Sequence, residues 1–214
     1  VTLNFAAKTV TVIPTSSIIE IDKIFLAGTS APSEETEVTK CLERDGLYAF
    51  RGELKAGTLW FPIEFEQTRK VAIVSKGEFS DGVSVAFAQT SASGAAAKAW
   101  NIPSDGTYRV VIDTEAKTVA IYSAATDMKN VSVSYNNTVD KINPYTQDVT
   151  ELWMWGGGLG WTTDAGMKTG FQSKYKLIQS LADPTVFVYS GGAIPRNTNT
   201  DANNKTGDYV GKAI

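Results

Sequence analysis

Three tryptophans lie close together on an apolar segment that runs into a cluster of glycines. Trp153 and Trp155 are two positions apart, so on a β-strand their side chains share one face, and Trp161 follows the glycines. Flat, rigid indole rings stack on the C–H face of a sugar ring at a small cost in conformational entropy. This spacing predicts a carbohydrate-binding surface built on the three tryptophans. The alternative interpretation is that they pack in a core or at a sheet edge.

Polar side chains near these tryptophans in the sequence are candidates for bonding the hydroxyl groups of a sugar. Amides, carboxylates and cationic groups suit that purpose, and a tyrosine supplies both a ring and a hydroxyl group. Each candidate is also compatible with an ordinary surface position. The candidates are Tyr189, Asp164, Lys168, Arg196 and Asn197.

The residue types present rule out several kinds of reactive site. The chain has no histidine, which excludes Ser-His-Asp and Cys-His nucleophiles and the usual zinc sites. Its one cysteine, Cys41, forms neither an intrachain disulfide nor a cluster of metal ligands. No sequence pattern pairs two carboxylates as glycoside hydrolysis requires. We therefore expect no catalytic residue, no metal and no cofactor, and a protein that is not an enzyme.

Charge and hydropathy narrow the range of partners. The formal net charge of −3 and the lack of a Lys/Arg cluster argue against nucleic acid, which would require a basic face. No apolar run is long enough to predict a membrane-spanning helix. The chain opens inside a hairpin pattern, so we expect it to be a piece of a longer protein.

The elements that position the tryptophans are predicted from internal repeats. Residues 1–13 and 110–122 both read as a strand, a tight turn and a second strand, and share an ungapped Ala-Lys-Thr-Val. A second similarity aligns residues 24–28 with 152–156. It continues with Tyr48 and Leu54 set against Tyr175 and Leu181. These repeats predict recurring β modules.

The fold predicted from these repeats is all-β, with two antiparallel immunoglobulin-like β-sandwich modules in tandem. Module one spans 20–124, a linker spans 125–149, and module two spans 150–214 without a closing hairpin of its own. Residues 1–14 are predicted to be the closing hairpin of a preceding module, or of module two through exchange within or between chains. A dimer formed by hairpin exchange is one consequence of the second option.

Three sequence features together resemble the SusE/SusF family of surface glycan-binding lipoproteins from Bacteroidetes. They are the strand that runs through glycines into Gly160-Trp161, the Leu-Lys-Ala-Gly of residues 54–57, and the hairpin of residues 105–121. The resemblance implies tandem β-sandwich modules, non-catalytic, lipid-anchored at the outer-membrane surface, that hold glycan for a partner importer. In module one, residues 28–32 are not followed by Gly-Trp, which favours module two as the binding module.

Two other functions remain open at the level of the sequence. One is a structural or adhesin-like protein-interaction module whose aromatic residues are all buried. The other is a hydrolase, or an ancillary module of a glycoside hydrolase. Glycan binding is expected to rest chiefly on Trp155 and Trp161, and exposure of these two tryptophans separates the first of these alternatives from glycan binding.

Overall fold

The computed structural model describes residues 2–4, 9–11, 21–135, 145–155, 175–192 and 212–213, and these form strands joined by turns, with one short 3₁₀ helix. The all-β prediction is confirmed. The first unit, residues 21–123, contains β3 (Lys23–Phe25), β4 (Glu37–Lys40), β5 (Leu47–Leu54), β6 (Gly57–Leu59), β7 (Phe61–Phe65), β8 (Thr68–Ser75), β9 (Ser84–Ser91), the 3₁₀ helix Ala92–Lys98, β10 (Trp100–Ile102), β11 (Gly106–Asp113) and β12 (Thr118–Ser123).

The remaining described strands lie on either side of the first unit in sequence. Two precede it and six follow it. They are β1 (Thr2–Asn4), β2 (Thr9–Thr11), β13 (Ser132–Tyr135), β14 (Tyr145–Asp148), β15 (Leu152–Trp155), β16 (Lys176–Gln179), β17 (Phe187–Val188) and β18 (Lys212–Ala213).

Eight strands of the first unit close into a barrel in the order β11-β12-β9-β8-β7-β3-β4-β5. The ring closes because two strands change partner halfway along. In β4, residues 37–38 pair with β3 and residues 39–40 pair with β5. In β9, residues 84–86 pair with β12 and residues 87–91 pair with β8. Strands that switch sheets in this way form the corners of a flattened two-layer structure.

The core of the first unit is made by the alternation of apolar side chains along these strands. Ile24 and Leu26 point into it from the β3 segment, and the ring of Trp100 packs against Phe61 with centroids 5.4 Å apart. Gly28 ends the β3 segment at φ +107°, where a Cβ atom would lie 2.2 Å from the carbonyl oxygen of Thr58. Only glycine is compatible with that close approach.

The second sheet consists of β15–β18 in the order β17-β16-β15-β18. Among the described strands this sheet is open. Together with the closed barrel of the first unit, it differs from the predicted pair of tandem immunoglobulin-like sandwiches. The difference has a physical origin: β4 and β9 join what would be two separate layers into one ring, and the described part of the second sheet forms a single layer. In the predicted linker, β13 and β14 pair as a hairpin.

The second sheet repeats the order and register of β7-β3-β4-β5 in the first unit. Ile24 pairs with Val38 as Leu152 pairs with Leu177. Lys40 pairs with Tyr48 as Gln179 pairs with Phe187. The same correspondence holds in the turns, since the amides of Leu26 and Met154 donate to the carbonyls of Thr36 and Tyr175.

This register corrects one part of the sequence comparison. Tyr175 corresponds in space to Thr36, whereas the sequence comparison aligned it with Tyr48. The equivalent of Tyr48 is Phe187. The sequence match was misleading because the segment between β15 and β16 is longer than the segment between β3 and β4, and an equal spacing of tyrosine and leucine cannot detect an insertion.

The amino-terminal hairpin has the register that the internal repeat predicted. Leu3 pairs with Val10 as Ile112 pairs with Val119, and Asn4 pairs with Thr9 as Asp113 pairs with Thr118. The hairpin β1–β2 is therefore equivalent in pairing to β11–β12 of the barrel.

Candidate carbohydrate-binding face

Trp153 lies in the middle of β15 and is half-buried. Its neighbour Met154 is buried in a small cluster with Tyr175, against which Leu177 and Tyr189 pack. Because adjacent residues of a strand point to opposite faces, Trp153 stands on the other side of the sheet from this cluster. We call that side the outer face. It carries Trp153, Lys176 and Ile178.

Lys176 is the cross-strand partner of Trp153 on the outer face. Its ammonium nitrogen lies 5.4 Å from the centroid of the indole ring, which is the arrangement of a cation–π contact. The same nitrogen forms an ion pair with the carboxylate of Glu151. An aromatic ring, an ammonium donor and a carboxylate acceptor are thus gathered at one place on the sheet.

The equivalent position in the first unit is Phe25, and its surroundings differ. Phe25 is 4% exposed, and the guanidinium carbon of Arg69 lies 3.5 Å from its ring centroid. Arg69 is fixed in turn by Glu64 at 3.1 Å and Glu35 at 2.9 Å. The first unit therefore covers this aromatic ring with a clamped arginine, while Trp153 in the second sheet keeps part of its surface accessible.

The outer face continues along β16 toward the first unit. Ile178, two residues beyond Lys176, is 50% exposed and pairs with Val188 on β17. Ile178 is about 7 Å from Lys176 along the strand. The side chains of Ile178 and Val188 line a cleft of 290 Å³ between the units, and residues 39–43 form its other wall.

The cleft is mainly apolar, with a few polar groups. Leu42 is 50% exposed there, and the hydroxyl of Ser180 donates to the carboxylate of Glu43. Lys40 is paired with Asp45 at 2.9 Å. The hydrogen bond to Asp45 and the charge of that carboxylate raise the pKa of Lys40, which therefore stays protonated. Burial, assisted by the charge of Glu43, raises the pKa of the Cys41 thiol to about 11, so this cysteine is a neutral packing residue at pH 7.

Equivalent turns of the two repeats meet beside the cleft. The amide of Cys41 donates to Leu47 as the amide of Ser180 donates to Val186, so Cys41 and Ser180 are equivalent. Cys41 shares a buried cluster with Ala182, and Ser180 bonds Glu43. Cys41 thus contacts the residue two positions after Ser180, and Ser180 contacts the residue two positions after Cys41. This reciprocal pattern is that of a two-fold interface.

Arg109 of β11, in the first unit, also contacts the turn between β16 and β17. Its side chain is 2% exposed, and its Nε donates to Asp127 at 2.6 Å. Nη1 donates to the carbonyl of Ala182, and the guanidinium carbon lies 4.6 Å from the ring centroid of Tyr122. The turn between β16 and β17 is thus held by a buried cation.

The structure describes only part of the predicted site. Trp153 lies on the outer face, whereas Tyr189 packs on the opposite side with the Met154 cluster, so the structure does not bring these two together. The backbone of Trp155 belongs to β15 and pairs with Lys212, while its side chain is outside the described part. The other predicted residues also lie outside the described residues: Trp161, Asp164, Lys168, Arg196 and Asn197.

Sequence reasoning missed Glu151 and Lys176, the two charged residues at Trp153. The place of Lys176 opposite Trp153 depends on a strand register that the equal-spacing alignment had set incorrectly. The available signal was the alternation of Lys176 and Ile178 with Leu177, which indicates a strand with one apolar inner face.

Two features of the described residues bear on other functions. Within the described ranges, no three His, Cys, Asp or Glu side chains are grouped so that they could hold a metal ion. No helix in the part of the chain that the structure describes is long and apolar enough to cross a membrane.

Comparison with known proteins gives no relative on which to base a function. No protein-family model matches the chain, and neither a curated protein nor a solved structure is significantly similar to it.

Proposed function

We propose that this chain is a non-catalytic polysaccharide-binding protein whose site is centred on the outer face at Trp153. The observation that carries the proposal is the contrast between equivalent positions. Phe25 is sealed beneath Arg69, whereas Trp153 is half-buried and contacts Lys176. A partly accessible indole with flanking polar groups suits stacking on a sugar ring.

The neighbours of Trp153 support this chemistry. Lys176 provides an ammonium donor and Glu151 a carboxylate acceptor, which together can bond adjacent hydroxyl groups of a sugar. The exposed strip that runs from Lys176 through Ile178 to the cleft offers room for more than one sugar unit. Weak affinity at one site would be raised by avidity if several modules engage one polysaccharide.

The same proposal includes tandem immunoglobulin-like modules, lipid-anchored at the outer-membrane surface and passing glycan to an importer. Its support in the fold is the repeated register of the second sheet and a feature of the first unit. The hydroxyl of Tyr108 donates to the carbonyl of Ser104 at 3.0 Å, as in the tyrosine corner of immunoglobulin-like sandwiches. Anchoring and an importer partner rest on the family resemblance alone.

The test is a titration with a panel of soluble polysaccharides, followed by tryptophan fluorescence. We expect a saturable change with one class of polysaccharide and binding about tenfold weaker in Trp153→Ala, because a stacked aromatic contributes about 1 kcal/mol or more. Lys176→Met, which keeps the aliphatic stem, should weaken binding by less.

Trp60→Phe is the matched control, because Trp60 is a half-buried tryptophan packed beside Ala72 and Val74 in the first unit. It should bind as tightly as the parent. Unchanged affinity in Trp153→Ala, with the protein folded, would contradict the location of the site. A lack of response to every polysaccharide would contradict the function.

A protein-interaction function is the second candidate, and one observation favours it. Leu42, Ile178 and Leu181 are exposed apolar residues that gather at the cleft between the units, and apolar patches of this kind mark binding surfaces. A docking protein would protect this patch whether or not Trp153 is present. The fluorescence titration therefore separates the two candidates.

A further inference from the structure

The two repeats differ in how the edge of one strand is used. In the barrel, β5 pairs with β4 on one side and with β11 on the other. Its equivalent in the second sheet is β17, and among the described strands β17 pairs only with β16. An unpaired strand edge presents a row of amide and carbonyl groups that can accept another strand.

The amino-terminal hairpin has the complementary property. In the barrel, β11 pairs with β12 on one side and with β5 on the other. Its equivalent is β1, which pairs only with β2 among the strands that the structure describes. Among the described strands, the hairpin thus supplies the strand that the edge of β17 lacks, and β1 has no second partner on the matching side.

We propose that the hairpin β1–β2 of one chain pairs with the edge of β17 in a second copy of the chain, so that it completes the second sheet as β11–β12 completes the first unit. Each copy would then offer one hairpin and one receiving edge. Such a contact is head-to-tail, and repeated addition of copies gives larger assemblies.

The barrel fixes the register of this pairing. Ile112 lies opposite Tyr48, and Val111 lies opposite Ala49. Equivalent positions place Leu3 opposite Phe187 and Thr2 opposite Val188. Leu3 and Phe187 then take the place of the apolar pair Ile112 and Tyr48. Thr2 and Val188 are both β-branched residues, which favour strands.

Cross-linking between two single-cysteine proteins tests both the contact and its register. Both are made in a Cys41→Ala background and carry different affinity tags, and one carries Thr2→Cys while the other carries Val188→Cys. On mild oxidation we expect a mixed disulfide dimer, because directly opposed residues bring their Cβ atoms to about 5 Å. Leu3→Cys combined with Val188→Cys is the matched control and should cross-link far less, because those positions are out of register.

Two further measurements make the proposal falsifiable if a variant fails to fold. The parent protein should show a mass that rises with concentration in light scattering, and Leu3→Asp should abolish that rise. A monomer at every concentration, or equal cross-linking in and out of register, would overturn the proposal. In a chain that carries both Thr2→Cys and Val188→Cys in the Cys41→Ala background, a disulfide found only within single chains would show that the hairpin closes on its own chain, and would overturn the proposal as well.

Discussion

The strands β7-β3-β4-β5 and β18-β15-β16-β17 share one order and one register, yet they bury their side chains differently. In the barrel, both faces of β3 are covered: Ile24 faces the core, and Phe25 lies beneath Arg69. In β15, Met154 is buried while Leu152 and Trp153 are half-buried. The same strand pairing therefore occurs with different burial, because the burial of a side chain depends on what packs on each face of the sheet.

This difference bears on function because a sealed aromatic ring can only stabilise the fold. Arg69 is held by two carboxylates and occupies the face of Phe25 where a ligand would stack. Lys176 is held by Glu151 and lies farther from its ring. A repeat whose aromatic ring is not sealed by an arginine keeps the architecture and leaves part of the ring accessible.

The contact between the first unit and the second sheet can be weakened by replacing Arg109. Arg109→Met should lower the free energy of unfolding by about 2–3 kcal/mol, because it removes charged hydrogen bonds to Asp127 and Ala182 and takes a donor away from the buried carbonyl group of Ala182. Urea denaturation measures the loss. Hydrogen exchange should also show faster exchange in residues 176–188.

Arg51→Met is the control for this prediction. Arg51 pairs with the same carboxylate, Asp127 at 3.3 Å, but its side chain is half exposed. Exposed ion pairs contribute less than about 1 kcal/mol, so this variant should resemble the parent. Equal losses in the two variants would mean that the contact with Ala182 does not stabilise the second sheet.

The sequence allowed prediction of those parts of the fold that depend on local patterns. The alternation in residues 1–13 and 110–122 carries the register of both hairpins, because side chains that must face one core fix which residues lie opposite. The strand around Trp153 was predictable for the same reason. The closed ring was not, because it depends on β4 and β9 changing partner midway, which leaves no periodic signal.

The candidate site was predicted only in part, for a related reason. An aromatic cluster is visible in the chain itself, so Trp153 could be found. Which charged residues stand beside it depends on pairing between distant strands, so Glu151 and Lys176 were missed. Tyr189 was placed beside the tryptophans by its nearness in sequence, but strand alternation turns it to the other face.

A second test compares Cys41 with Ser180, its equivalent in the second sheet. The pKa of Cys41, raised to about 11 by burial, exceeds the value of about 8.5 in an unfolded chain. Its neutral form is favoured by folding, so its contribution is complete below pH 8.5 and is lost as the pH rises through 11. At pH 10 we expect a loss of about 2 kcal/mol relative to pH 7, measured as the difference between the parent and Cys41→Ala.

This difference measurement cancels the titration of tyrosine and lysine residues, which both proteins share. Ser180 has no group that titrates in this range, so the second sheet should add no alkaline term of this kind. A constant difference between the parent and Cys41→Ala from pH 7 to pH 10 would mean that the thiol is accessible to water in the folded protein.

The smallest expected effect on stability concerns Asp113 of the barrel, which has the same register position in its hairpin as Asn4 in the amino-terminal hairpin. Burial alone raises the pKa of Asp113. Hydrogen bonds from Arg44 and from the amides of Ala116 and Glu115 outweigh that effect and hold the pKa below its usual range. Asp113→Asn keeps an acceptor for the two amides, at 2.8 and 3.0 Å, and loses only the ion pair with Arg44. We expect a loss of about 0.5–1 kcal/mol at pH 7 by urea denaturation.

The pH dependence of that loss identifies its cause. Because the pKa of Asp113 is lower in the folded state, the advantage of aspartate is complete above about pH 4 and disappears as the pH falls through the folded value. Asp113→Ala should cost about 1 kcal/mol more than asparagine at every pH, since the amides of Glu115 and Ala116 lose their acceptor. If asparagine and alanine were equally costly, the acceptor would not matter, and the equivalence of Asn4 and Asp113 would be one of strand register alone.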